Sequence, residues 1–217
     1  MKYSAVFWDN DGTLVDTETF FFQSCVTAFA VFGIPCTEEF FEKELVGGKL
    51  SLKHWLAEEH HLTQEQIQQL RVHRDQIYSD LLTSEAIRIY DGIPEVLELL
   101  QSQNTPMAIV TSAHRNHLET IHQQTGFLEK YFSFAVCEED VPHVKPAPDP
   151  YLMAAEKLGV DPTQSLAIED TPHGCQAAKK AGMTVVAIPN KHTHKRDFPH
   201  ADHVLKSARE LKDLLRK

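Results

Sequence analysis

Five short apolar runs recur along this chain: Tyr3–Trp8, Met107–Val110, Phe134–Cys137, Leu166–Ile168 and Val185–Ile188. They are rich in β-branched or aromatic residues, as strands buried on both faces are, and helical patterns separate them. That combination points to βαβ units and a parallel sheet. The helices carry start and stop signals. Pro94 sits in the first turn of a pattern through Val96, Leu97, Leu99 and Leu100, where its missing N–H costs nothing. Gly126 follows the pattern Leu118, Ile121 as a C-cap would, Gly159 closes Tyr151–Leu158, and Gly182 closes the segment from about His173 to Ala181.

Residues Thr17 to Glu85 break the alternation. They hold helical patterns (Phe22, Val26, Phe29; later Leu56, Ile67, Leu70, Ile77, Leu81) without a strand signal. The expected division is therefore a core made of residues 1–16 and 86–217, interrupted by a helical insert at 17–85. Phe20, Phe21, Phe22, Phe29, Phe32, Phe40 and Phe41 are expected to form the core of that insert. Within it, Gly47-Gly48-Lys49-Leu50-Ser51 could bring backbone close to a ligand, with Lys49 reaching an anion. Gly48 and Lys49 are thus candidate specificity residues.

Composition narrows the partners. A net charge of -10, from 31 acidic against 21 basic residues, argues against nucleic acid and anionic membranes as the main partner. No apolar stretch approaches the ~20 residues that span a bilayer. Cys25, Cys36, Cys137 and Cys175 lack CxxC spacing and read as buried, reduced thiols. With no cleavable signal pattern at the N-terminus, a cytoplasmic location is the expectation.

Chemistry concentrates where the apolar runs end. Asp9-Asn10-Asp11-Gly12-Thr13 follows the first run and places two carboxylates beside a glycine turn. Crowded carboxylates repel, which favours a bound cation or a proton on one of them. Val110-Thr111-Ser112 puts hydroxyls after the second run. Lys145-Pro146-Ala147-Pro148-Asp149 puts a lysine on a proline-stiffened loop after the third. Ile168-Glu169-Asp170-Thr171 ends the fourth run with another carboxylate pair. Open α/β sheets build their sites at such strand ends.

Carboxylates, hydroxyl, lysine, carboxylates, in this order, resemble the four motifs of the haloacid dehalogenase superfamily of phosphotransferases, from Val6 to about Ile188. The resemblance implies a Rossmann-like α/β core, a parallel sheet with helices on both faces, and a helical cap formed by the insert. It implies Asp9 as nucleophile and Asp11 as general acid and base. Thr111 or Ser112 would bind the phosphoryl group, and Lys145 would neutralise its charge. Asp9, the Asp11 backbone and Asp170 would hold Mg²⁺, with Glu169 either a ligand through water or an anchor for the groups around the ion. The implied reaction is hydrolysis of a small phosphorylated metabolite, such as a sugar phosphate or phosphoglycolate. A β-phosphoglucomutase-like mutase is the alternative, and a phosphometabolite-binding regulator without catalysis a more distant one. A dehalogenase would not need Asp11, and a phosphonate hydrolase would carry a small residue there. Two departures stand out: Val144 precedes the lysine where relatives often have glycine, and Thr171 replaces a common serine.

Overall fold

The computed structural model describes residues 3–46 and 52–215. Six parallel strands, β1 (Val6–Trp8), β2 (Met107–Val110), β3 (Ala135–Val136), β4 (Leu166–Glu169), β5 (Thr184–Ala187) and β6 (His203–Val204), form one sheet. Their order is β3-β2-β1-β4-β5-β6. β1 lies at the centre, with Phe7 paired to Ala108 on one side and Ala167 on the other. Phe7, Ala108, Val110, Ala167 and Val185 face helices α8 (Asp149–Leu158) and α9 (Pro172–Lys180), which follow strands β3 and β4. Their neighbours along the strands, Val6, Trp8, Ile109, Ile168 and Val186, are equally buried. Helices α5 (Ile93–Ser102), α6 (Arg115–Thr125), α7 (Phe127–Tyr131) and α10 (Ala208–Leu215) pack among themselves. Burial on both sides is why the strand runs are apolar without alternation.

The expected helix punctuation appears in place: Gly126 and Gly159 cap their helices in the left-handed conformation. β6 and α10 were not expected. β6 is two exposed residues, too short and too polar to register as a strand. α10 buries only Ala208, Leu211 and Leu215 amid charged neighbours.

Contacts divide the chain into Met1–Asp16 with Ile87–Lys217, and Thr17–Ala86. The second unit contains α1 (Glu18–Ala30), α2 (Glu38–Phe40) running on into a π-turn (Phe41–Leu45), α3 (Leu52–Glu58) and α4 (Gln64–Ser84), with no strand among its described residues. Phe29, Phe41, Leu56 and Leu70 form its centre, and Phe21, Phe22, Phe32 and Phe40 pack around them. Phe20 lies outside this cluster. The buried stripe of α4 runs Ile67, Leu70, Tyr78, Leu82, so Leu82 rather than Leu81 continues it, and Val26 of α1 is exposed. Gly48 and Lys49 lie outside the described residues.

α4 begins with a reciprocal cap. Thr63 Oγ1 accepts the Gln66 N–H at 3.2 Å, and Gln66 Oε1 accepts the Thr63 N–H at 2.9 Å. Thr63→Ala removes the acceptor of the Gln66 N–H, leaving the bond from the residue-63 N–H to Gln66 Oε1 in place, and is expected to cost about 1 kcal/mol in denaturant unfolding. No change in the midpoint would mean that water replaces the cap at no cost. Among the described residues no helix is long and apolar enough to cross a membrane.

Candidate active site

The sheet turns its order around at β1: the chain leaves for β2 on one side and returns at β4 on the other. Ligand crevices open at the carboxyl ends of strands flanking such a reversal. The residues immediately after β1 and those ending β4 therefore meet. The Asp9 N–H donates to the Ile168 carbonyl at 2.9 Å, which carries the strand pairing one residue further. The chain then folds back sharply: the Asn10 carbonyl accepts the Leu14 N–H at 2.9 Å, and Gly12, at φ +84°, donates to the Val15 carbonyl.

Lys145 is the hub. Its Nζ donates to Asp9 Oδ1 and to Glu169 Oε1, each at 2.6 Å, and to the Val110 carbonyl at 2.8 Å. Tyr151 of α8 donates its hydroxyl to the same Glu169 oxygen at 2.6 Å. All four side chains are buried, so these charges act on one another at low dielectric. Burial pushes the Asp9 carboxyl up to about 8, against the pull of Lys145. Burial also works against the charge on Lys145, but Asp9 and Glu169 reverse this and hold the ammonium well above the ordinary lysine range. Burial, then Glu169, raises the Tyr151 phenol so that it remains a donor.

Asp170 is fully buried and held from both sides. Thr13 Oγ1 donates to its Oδ1 at 3.2 Å and Asn190 Nδ2 to its Oδ2 at 2.8 Å. Gly12 packs so closely here that a Cβ would overlap the Asp170 carboxylate, so this turn requires glycine for space as well as for φ. Asp11 is half-buried, and its Oδ2 accepts from Thr111 Oγ1 at 3.2 Å and from Asn10 Nδ2 at 3.1 Å. Thr111, not the exposed Ser112, therefore brings its hydroxyl to the acids.

Six of the candidate residues thus come together: Asp9, Asp11, Thr111, Lys145, Glu169 and Asp170. Asp9, Glu169 and Asp170 each present an oxygen within 4.8 Å of the others. Three buried carboxyl groups crowd around one buried ammonium, a setting in which a hard dication would favour the ionised acids. The donor set fits Mg²⁺. Of the histidines beside the motifs, His114 is exposed and pairs with Glu139 at 2.7 Å, while His173 is half-buried, its pKa lowered by burial and by Arg196. The four cysteines are buried and unbridged.

Sequence reasoning missed Tyr151, Asn190 and Gly174. Tyr151 lay in a helical pattern and Asn190 in a polar loop, and neither carried a spacing signal. Gly174 did offer one: a glycine inside α9, where alanine is favoured, asks for a reason.

The profile of the haloacid dehalogenase-like hydrolase family matches residues 6–188. The chain is 31% identical over 221 residues to the N-acetylmuramic acid 6-phosphate phosphatase of Pseudomonas aeruginosa, covering 99% of this chain and 96% of that protein. It is 33% identical over 187 residues to the phosphorylated carbohydrates phosphatase of Thermotoga maritima, covering 82% of each. The crystal structure of CbbY from Rhodobacter sphaeroides in complex with xylulose-1,5-bisphosphate superposes with a TM-score of 0.83 at 25% identity, covering 96% of each chain. The chain belongs to the haloacid dehalogenase-like hydrolases.

Proposed function

We propose that this haloacid dehalogenase-like hydrolase is a Mg²⁺-dependent phosphatase of sugar monophosphates that works through a phosphorylated Asp9. The observation that carries the reading is the buried Asp9, fixed by Lys145 at 2.6 Å, with Asp11 two residues on and hydrogen-bonded to Thr111. The N-acetylmuramic acid 6-phosphate and the phosphorylated carbohydrates named in two relatives support the substrate class.

In this reading Asp9 attacks phosphorus, and Asp11 gives its proton to the leaving sugar oxygen as the P–O bond breaks. Asp11, now a carboxylate, then takes a proton from the water that attacks the aspartyl-phosphate. Lys145 offsets charge on Asp9 and the transferring group, and the Thr111 hydroxyl donates to a phosphoryl oxygen. Asp9, Glu169 and Asp170, with the Asp11 backbone, would hold Mg²⁺, which when bound supplies positive charge against the phosphoryl oxygens. Glu169 has a further task, since it anchors the ammonium of Lys145 together with Tyr151. Residues 1–16 with 86–217 act as the catalytic core and 17–85 as the substrate-selecting cap.

The test is phosphate release from a panel of sugar monophosphates and phosphoglycolate, in Mg²⁺ and in EDTA. Release that requires Mg²⁺ and falls about 10²–10⁴-fold in Asp11→Asn is the expected result. Release that persists in EDTA, or that Asp11→Asn leaves intact, would refute the mechanism. Silence across the panel together with isomerisation of a sugar phosphate in the presence of its bisphosphate would replace the phosphatase by a mutase.

A further inference from the structure

Between the two acids after β1 stands a fully buried asparagine whose amide is engaged at both ends. Asn10 Nδ2 donates to Asp11 Oδ2 at 3.1 Å, and Asn10 Oδ1 lies 3.1 Å from Nε2 of His122, a buried residue in the last turn of α6. His122 Nδ1 in turn lies 3.0 Å from Thr125 Oγ1, which also accepts the Phe127 N–H at 3.4 Å. A carboxylate only accepts, so the amide nitrogen must face Asp11 and the amide oxygen must face the imidazole. An amide oxygen also only accepts, so His122 Nε2 carries the ring proton. Nδ1 is then left as an acceptor, and the Thr125 hydroxyl is free to donate to it, because its own lone pair takes the Phe127 N–H. Every group in the chain Thr125, His122, Asn10, Asp11 thus has one consistent direction. Burial, opposed by Asp11, lowers the His122 pKa to about 4, in keeping with a neutral ring.

We infer that Asn10 and His122 are positioning residues that set the orientation of the Asp11 carboxyl for proton transfer to the leaving group. This rests on the general-acid role given to Asp11 above. The geometry supports orientation because Thr111 and Asn10 both bind Oδ2, at 3.2 and 3.1 Å, so the side chain is held through one oxygen from two sides. Asn10 in turn cannot rotate its amide without placing two donors, its own N–H and that of His122, against each other.

A misplaced acid hurts most where the leaving group most needs a proton. The comparison therefore uses two aryl phosphates of similar shape. Phenyl phosphate releases a phenol with a pKa of about 10; p-nitrophenyl phosphate releases a far weaker base. Asn10→Ala and His122→Ala are expected to lower kcat/KM for phenyl phosphate about 10- to 100-fold and for p-nitrophenyl phosphate less than about threefold, with KM little changed. His122→Gln, whose side-chain amide can donate to Asn10, is expected to recover activity on phenyl phosphate to within about threefold of the parent. The double variant should lose no more than Asn10→Ala alone, because the two act in series. Should Asn10→Ala fail to fold, the two His122 variants carry the same comparison.

Equal losses on both substrates, or no recovery in His122→Gln, would show a structural role and overturn the inference. Asp11→Asn separates the two levels. If it discriminates between the substrates and the Asn10 and His122 variants do not, only the positioning role falls. If Asp11→Asn itself does not discriminate, the general-acid reading falls and takes the positioning role with it.

Discussion

Asp9→Asn is expected to lose at least about 10⁴-fold of turnover while melting at a higher temperature than the parent protein at pH 8. The first effect is chemical, because an amide oxygen does not form the phosphorylated intermediate. The second follows from burial. The Asp9 carboxyl rises from 3.8 to about 8 in the folded chain, since desolvation outweighs the pull of Lys145. The folded state thus binds a proton at Asp9 more tightly than the unfolded state does. Stability from that proton is complete below about pH 4 and is lost as pH rises through about 8. Asparagine has no proton to lose there and still offers Lys145 an acceptor. Melting temperatures of the two proteins in EDTA, taken across this window, should coincide at the acid end and diverge by several degrees at pH 8. An asparagine variant that melts lower at pH 8 would mean that the Asp9–Lys145 ion pair outweighs the desolvation.

The same residues show how far the sequence could be read. Asp9, Lys145 and Asp170 were legible because each follows an apolar run, and parallel strands deliver their ends to one edge of the sheet. The runs themselves were legible because β1, β2, β4 and β5 are buried on both faces and leave an uninterrupted apolar signal. β6 escaped since its pair of exposed residues carries no such signal. Which of Thr111 and Ser112 turns its hydroxyl toward Asp11 depended on a strand register that periodicity does not set; the structure turns Thr111 there and leaves Ser112 exposed. Partners supplied from helices were beyond reach. His122 meets Asn10 across 112 positions of sequence, and Tyr151 meets Glu169 across 18, each from a helix whose pattern reports only which face is buried. Such contacts depend on where a helix sits along the strand, and composition does not encode that offset. Glu169 is the instructive case: its place at the end of β4 was readable, but its attachment to Lys145 and Tyr151, which makes it an anchor as well as a candidate metal ligand, was not.

That anchor makes Gly174→Ala a strongly disruptive single-methyl change. Gly174 lies in the first turn of α9, where its N–H donates to Thr171 Oγ1 at 3.1 Å and caps the helix. A Cβ at this position would overlap both carboxylate oxygens of Glu169. A side-chain end can usually swing away from such a clash, yet here Glu169 is completely buried and its Oε1 is held at 2.6 Å by both Lys145 and Tyr151. Moving the carboxylate would strand a buried phenol and take one of its two carboxylate partners from the buried ammonium; moving α9 instead would pull Ala177 and Ala178 out of the core they share with Val185. Either route is expected to cost about 3 kcal/mol or more, against the gain of up to about 1 kcal/mol that glycine to alanine brings inside an unobstructed helix. The melting temperature should fall by roughly 6–12 °C. Turnover should fall as well, because Lys145 loses its second anchor beside Asp9. Adding Glu169→Asp to Gly174→Ala shortens the side chain by one methylene and makes room for the new methyl, so the double variant should regain part of the lost stability even though Glu169→Asp alone destabilises. A Gly174→Ala protein as stable and active as the parent would show that Glu169 moves freely, and with it the anchoring of Lys145 would fall.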